Sequence, residues 1–487
     1  MLNMAYYHLA KKSFKYVLLA PFINSIEDID KLDKHPEFFN STYSPVVNEV
    51  KTIDVLKHSD RYKESARLIN ELPYDDKTLI YFPTVAGIYK YINEIIVNEP
   101  KVDDLGQSVY QFLEWAKDEI HEEWSVVKAM ERGYLIHNGQ IPIGTRLFQL
   151  DYFENSIIFN KMLCTSTLLE GVNTVAKNIV IAKPSRMSDS DNNNYDFSAF
   201  DFFNLVGRTG RLNQHLIGTA FYIKVPSDPE FRKVDAIKSI KFELTDDSKD
   251  IDIQTGNIDR HQDVLDFLSS LNITLTEYLA NIGSRPRFDT VVAIFNRYNL
   301  NRSELLGILF FLYENPKRGR LNLIKKLYYI NEGRDNPFEA NIINQLIHRQ
   351  RPKIKTVVDN VKQYFTRSID SIISTTIKIK MSIIEHQFYP KVLLVKYFME
   401  KQGVQKELIS VLENKVISAI EYIYFTSSKQ RKMLIDLGIY EQDINFIIDV
   451  IGENFEDSFE LKSLLRKNLH RLESISFISK YVIQSFL

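Results

Sequence analysis

Residues 161–173, KMLCTSTLLEGVN, decide the fold class. A short apolar run, Lys161 to Thr165, breaks into the hydroxyls of Thr165, Ser166 and Thr167 and then reaches Gly171. An apolar run of strand length without alternation reads as a strand buried on both faces, and such strands belong to parallel sheets. The same grammar recurs on either side. KTLIYF (77–82), GYLIH (133–137), NIVIA (178–182) and GTAFYIKV (218–225) read as further strands. Between them Thr84–Val97, Val109–Arg132, Ile143–Asn155 and Ser198–Val206 read as helices, the first from Ile88, Tyr91, Ile92 and Ile95 at helical spacing. Strands alternating with helices imply an α/β domain over 76–232, a parallel sheet with flanking helices.

The rest of the chain reads differently. FKYVLLA (14–20) is of strand length and stops at Pro21. Residues 36–75 are charged and without clear periodicity, and read as a connector. TDDSKDID (245–252) is an acidic break. Beyond 257 the pattern is helical to the end, an all-α region with expected helices at 261–271, 303–314, 340–349, 356–379, 391–401, 404–425, 428–436, 441–451 and 458–485. No internal repeat of fixed period is present.

Composition sets outer bounds. Of 487 residues, 61 are Lys or Arg and 63 Asp or Glu, so the net charge of −2 does not advertise nucleic-acid binding. Such binding rests on a local patch and stays open. A single cysteine, Cys164, excludes an internal disulfide framework and fits a reducing cytoplasm. The longest apolar run, Ile308 to Leu312, is far too short to span a bilayer, so no membrane partner is expected. The histidines and the cysteine show no metal-ligand spacing.

Three stretches carry chemistry. After the strand KMLC, the hydroxyls of Thr165, Ser166 and Thr167 stand where a parallel sheet presents ligand contacts, and Gly171 admits close backbone approach. Taken alone, this stretch could equally be a helix cap. NLVGRTGR (204–211) places Arg208 and Arg211 in a glycine-punctuated turn after a helix. HNGQIP (137–142), with Arg146, opens the helix after GYLI. The three, in this order, resemble motifs of the second RecA-like lobe of superfamily 2 nucleic-acid helicases, the superkiller-type DExH branch most closely. The resemblance covers 14–225, most specifically 133–225.

The resemblance implies an ATP-dependent helicase or translocase and a role for each stretch. Arg211 would be the arginine finger and Arg208 a second phosphate contact, planar cations set where charge develops on the transferred phosphoryl group. Glu170, Gly171, Asn173, Asn204, Gly207 and Gly210 would line the ATP side. Asn204 stands where the family usually has Gln or His, which shortens the reach. His137, Asn138, Gly139, Arg146, Thr165, Ser166 and Thr167 would hold the backbone of single-stranded DNA or RNA. Asn138 replaces a second His of the family pattern. Residues 1–35 would be a remnant of the first lobe, with Leu19-Ala20-Pro21-Phe22 at a position where the family carries Ser and Thr hydroxyls.

No Gly-Lys pair occurs in the chain, so the phosphate-cradling G-x-x-x-x-G-K-[ST] loop is absent. ATP and Mg²⁺ would then be held mainly by a first lobe on another polypeptide or on sequence outside these residues. The alternative is a non-catalytic helicase-like scaffold or nucleic-acid-binding subunit. Asp118-Glu119-Ile120-His121 spells a DExH string inside a polar helical stretch, and reads as a solvated helix face. Two basic clusters follow in the all-α region. Lys317, Arg318, Arg320, Lys325 and Lys326 could track phosphates beside Tyr328 and Tyr329, and Arg349, Arg351, Lys353 and Lys355 form the second. Solvated surface is the plainer reading of each.

Overall fold

The computed structural model describes residues 22–27, 37–40, 47–168, 175–185, 197–209, 217–241, 248–282, 286–348, 352–425 and 428–487. Its centre is a six-stranded, wholly parallel sheet. With β1 at Ile23–Glu27, its strands are β2 (Val47–Asp54), β3 (Thr78–Tyr81), β4 (Tyr134–His137), β5 (Lys161–Cys164), β6 (Asn178–Ile181) and β7 (Ile217–Lys224). They lie in the order β2-β7-β6-β3-β5-β4. The apolar runs form the neighbouring strands β6, β3, β5 and β4, which are covered on both faces even though β4 stands at an edge of the sheet. Leu79, Ile80, Leu135, Ile136, Met162, Leu163, Ile179 and Val180 are all fully buried. β1 pairs in parallel with β8 (Lys238–Lys241) in a separate two-stranded sheet.

Helices α1 (Arg61–Glu71), α2 (Val85–Glu94), α3 (Gln107–Ala116), α4 (Ser125–Met130), α5 (Ile143–Asn155) and α6 (Ala199–Val206) flank the large sheet. Thr84 caps α2, its hydroxyl accepting from Gly87 N at 3.0 Å. Ser198 and Asp201 form a reciprocal capping box that starts α6. The expected helix over 109–132 is three pieces, because a π-helical turn at Lys117–His121 and the bend at Trp124 divide it.

The connector expected at 36–75 is a correction. Val47–Asp54 is an edge strand of the sheet, in register with all of β7, and α1 packs against β7. Arg61 anchors this addition. It is 2% exposed, pairs with Asp228 through its Nη2 (2.6 and 2.5 Å to the two carboxylate oxygens), and donates from Nη1 to the carbonyls of Ala182 and Ile223. The edge strand escaped the sequence pattern because VNEVKTID is polar and mostly exposed, as edge strands commonly are.

From residue 248 every described element is helical. The expected helix 303–314 begins much earlier, at Phe288, and Leu321–Glu332 is a further helix that the pattern missed. The expected helices 356–379 and 458–485 are each broken in two. Ser368 and Ser476 cap the second halves through hydroxyls that accept from Ser371 N and Ser479 N. Residues 428–487 have a core of their own, built on Leu434, Ile447, Phe455, Leu461 and Ile483. No described helix is long and apolar enough to cross a membrane.

Candidate functional site

The register of the sheet gathers the first set of candidate residues. His137, Cys164, Tyr81 and Ile181 stand opposite one another, so the C-terminal ends of β4, β5, β3 and β6 form one edge. The loop after β4 (Asn138–Pro142) and the 3₁₀ turn after β5 (Ser166–Leu168) meet there. A Cβ on Gly139 would lie 3.3 Å from Thr167 Cγ2, which is why a residue without a side chain sits at that point. Thr165 N donates to His137 O at 3.3 Å, and the Thr165 and Thr167 hydroxyls are 3.2 Å apart.

Within this edge the residues divide by exposure. Gly139 and Thr167 are exposed, and Ser166 and Arg146 are half-buried. His137, Asn138 and Thr165 are buried. The surface offered to a ligand is therefore backbone, Ser166 and Thr167, with Arg146 half-buried beside them. The family-derived contacts at His137 and Asn138 lie underneath it. Asn138 Oδ1 accepts from Gln140 N at 2.8 Å and so shapes the loop.

The layer below is short of hydrogen bonds. His137 Nδ1, Asn138 Nδ2, Thr145 Oγ1, Arg146 Nε and Gln149 Nε2 are buried with no partner among the described residues. Burial, and then the neighbouring Arg146 charge, hold the His137 imidazole down at about 4, so it is neutral at physiological pH. Burial also lowers the Arg146 guanidinium from its ordinary value. Buried orphan polar atoms are uncommon in folded proteins, and five along one strand end and its following helix mark a site short of partners.

The GRTGR stretch is elsewhere. α6 runs back across the sheet, and Thr209, fully buried, donates to Val206 O at 2.8 Å and to Asn48 Oδ1 at 3.3 Å. Asn48 pairs with Gly218 at the start of β7, so Gly207, Arg208 and Thr209 sit at the opposite edge, where strands begin. With four residues in each of β3 to β6, the edges stand roughly 13 Å apart at about 3.3 Å per residue. The structure thus separates the Arg208 turn from the Thr165–Thr167 turn. Gly207 is exposed, and Arg208 and Asn204 are half-buried. Phe22, within the expected first-lobe remnant 1–35, packs edge-on against Phe200 of α6, with ring centroids 6.0 Å apart. Glu170, Gly171, Asn173, Gly210 and Arg211, with Leu19 to Pro21, lie outside the described residues.

The comparisons with known proteins enter at this point. No family model matches the chain. Anti-bacteriophage protein B of Escherichia coli (strain K12) is 31% identical to it over 239 residues, 48% of this chain. That stretch is 31% of the relative, so the chain spans about a third of the protein it matches.

Two charged features resolve each other. The DEIH stretch is not simply a solvated face, and Lys353 and Lys355 of the second basic cluster are not a free phosphate track. Lys353 Nζ lies 2.7 Å from both Asp118 and Glu119, and Lys355 lies 2.7 Å from Glu122. Ile120 and His121 turn inward, buried. This stretch docks the all-α region onto the sheet domain. Arg349 and Arg351 lie outside the described residues. In the first cluster, Arg320 donates to the carbonyls of Asn344, Ile347 and Lys415, and Lys326 pairs with Glu304. Tyr328 is core, hydrogen-bonded to Glu339, and does not offer the stacking face expected of it. Lys317, Arg318 and Lys325 remain exposed.

Sequence reasoning missed Asp370. This buried carboxylate of the all-α region accepts from Ser125 N at 2.8 Å and from Ser125 Oγ at 2.6 Å, capping α4 across the domain boundary. Trp124, at the N-cap position of α4, supplies no side-chain cap. Burial raises the Asp370 carboxyl above the ordinary range. Next to it, Ser374 Oγ donates to the Tyr89 hydroxyl at 3.3 Å. The only sequence signal was negative: α4 starts without a capping residue.

Proposed function

We propose that this chain is the second lobe and helical accessory region of an ATP-dependent nucleic-acid helicase or translocase. In this reading the edge formed by Gly139, Arg146, Ser166 and Thr167 holds the phosphate backbone of single-stranded DNA or RNA. Backbone amides, small hydroxyls and one guanidinium are the groups that position a strand without reading its bases. Arg208, from the opposite edge, and Arg211, three residues on in the sequence, are assigned to ATP and Mg²⁺ bound on a lobe carrying the phosphate loop that these 487 residues lack. Hydrolysis then changes the gap between lobes while the strand is held elsewhere, and the difference in grip drives stepping.

One observation carries the reading: two chemically distinct loop sets on opposite edges of one parallel sheet, in the order the family resemblance requires. The name of the matched relative, an anti-bacteriophage protein, supports defence against bacteriophage as the role.

The test combines the purified chain with a polypeptide bearing a G-x-x-x-x-G-K-[ST] lobe. Phosphate release from ATP is measured with and without single-stranded DNA or RNA. Strand-stimulated release that Arg211→Ala abolishes is the expected result. Unchanged turnover in Arg211→Ala refutes the finger assignment. Strand binding without hydrolysis in any mixture favours the non-catalytic scaffold.

A further inference from the structure

The loop that follows β4 rests on a buried polar junction between the sheet domain and the all-α region. Its centre is the hydroxyl of Tyr89, on α2. Tyr89 is buried, and so are the three polar side chains around its oxygen, those of Ser374, Trp124 and Asn138. Ser374 Oγ donates to that oxygen at 3.3 Å. Trp124 Nε1 and Asn138 Nδ2 face the same hydroxyl, short of full hydrogen-bond geometry, and neither has another partner among the described residues. Burial, and then the Asp370 charge, push the phenol up to about 12, so it stays neutral in this place. Its oxygen is the acceptor that these donors share.

Asn138 carries this junction up to the surface. Its Oδ1 accepts from Gln140 N at 2.8 Å and its backbone carbonyl from Ile141 N at 3.4 Å, so the carboxamide closes the turn around Gly139. With the oxygen committed to that turn, Nδ2 is left for Tyr89. Gly139 in turn stands against Thr167, where a Cβ would come within 3.3 Å of the threonine methyl. A shift of the Asn138 side chain is therefore a shift of this turn against the Thr165–Thr167 turn.

The other side of the junction belongs to one helix, Ile369–Lys378. Asp370 and Ser374 lie one turn apart on it and meet Asn93 and Tyr89, one turn apart on α2, with Asn93 Nδ2 3.4 Å from Asp370 Oδ2. Asp370 also holds Ser125, the neighbour of Trp124. Two polar pairs thus fix where this helix docks, and both run through buried groups that are costly to leave unpaired. We propose that Tyr89 is a positioning residue: it sets the carboxamide of Asn138, and through it the turn at Gly139, according to how the all-α region docks at Ser374. The consequence for strand binding rests on the reading of this loop given above, whereas the link from Ser374 to the turn stands on the contacts alone.

The experiment is amide hydrogen exchange on the full chain, resolved to single residues by electron-transfer fragmentation. Tyr89→Phe keeps the ring and removes the oxygen. The Gln140 amide, which donates to Asn138 Oδ1, should then exchange about fivefold faster, the worth of one hydrogen bond, while the amides of Leu79, Ile80 and Tyr81 in β3 keep their wild-type rates. Ser374→Ala, on the far side of the domain boundary, should accelerate the same amide, and it serves as the second variant should Tyr89→Phe fold poorly. In an Asn138→Ala background Tyr89→Phe should add nothing, because the link is already broken. An unchanged Gln140 rate in the single variants overturns the proposal. Equal acceleration in β3 means lost stability alone and overturns it as well. Binding of a labelled single-stranded oligonucleotide, read by anisotropy, keeps the strand reading separate. Weaker binding in Tyr89→Phe supports both. Binding that is absent in wild type, or untouched by Tyr89→Phe, while Gln140 is accelerated, leaves the positioning role standing and overturns the strand-holding role of the loop.

Discussion

Acidification should destabilise this protein through His137, and the size of the effect follows from its burial. The imidazole is 3% exposed, beside Arg146, and its folded value is lowered to about 4. In the unfolded chain it returns to about 6.5. Above pH 6.5 the ring is neutral in both states and the linkage term is at its most favourable for folding. Between pH 6.5 and 4 the unfolded chain takes a proton that the folded one refuses, so stability falls as pH falls. At about 1.4 kcal/mol per pH unit, the loss is about 2 kcal/mol by pH 5 and about 3 kcal/mol by pH 4. The assay is guanidinium unfolding of wild type and His137→Gln at pH 7.5 and pH 5. Whatever the substitution costs at pH 7.5, the variant should lose about 2 kcal/mol less than wild type on going to pH 5. Other titrating groups act in both proteins and cancel in that difference. Exchange of the histidine C2 proton, read by mass spectrometry on wild type, locates the midpoint directly. Parallel pH profiles, or a midpoint for His137 near 6.5, would refute the argument.

Three further outcomes follow from contacts described above. Arg61→Ala leaves Asp228 buried and uncompensated, so it should destabilise by about 3–5 kcal/mol, read by chemical denaturation, with the double variant Arg61→Ala, Asp228→Ala costing less than the sum. Gly144→Ala puts a Cβ well inside contact distance of the Gly438 carbonyl oxygen and against Ile478. It should loosen the C-terminal unit from the sheet domain at a cost of about 1–3 kcal/mol, seen as protease cleavage near residue 428 before the rest of the chain is cut. Asp370→Ala should cost about 2 kcal/mol in thermal or chemical unfolding by leaving α4 uncapped. Asp370→Asn should cost less at neutral pH, because burial raises the carboxyl and disfavours the charged form there; a larger cost for Asn than for Ala would contradict the capping role.

β3, β4, β5 and β6 were legible because burial on both faces leaves an apolar run, and this holds for β4 although it stands at an edge. LIY, YLI, MLC and NIVI could be little else at that length. β2 was not legible, because its side chains are polar and mostly exposed and its place is specified by pairing with β7. The helix breaks at Ser368 and Ser476 were obscured for a related reason: a serine cap is a local hydrogen bond that leaves the surrounding helical period intact.

The sequence by itself determined the class of the domain, the order of the hydroxyl and arginine loops, and the absence of a phosphate-binding loop. Each is a property of adjacent residues: apolar run length, glycine spacing, the presence or absence of Gly-Lys. Only the tertiary structure decided which residues meet. Strand register brought Gly139 to Thr167 and sent Arg208 to the other edge. Docking of the all-α region joined Lys353 to Asp118, and Asp370 to Ser125, across more than 200 residues of chain. Such pairs are fixed by long-range packing, and because charge and hydrogen-bonding capacity carry no record of the partner in the local sequence, a basic cluster reads the same whether it faces phosphate or its own carboxylates.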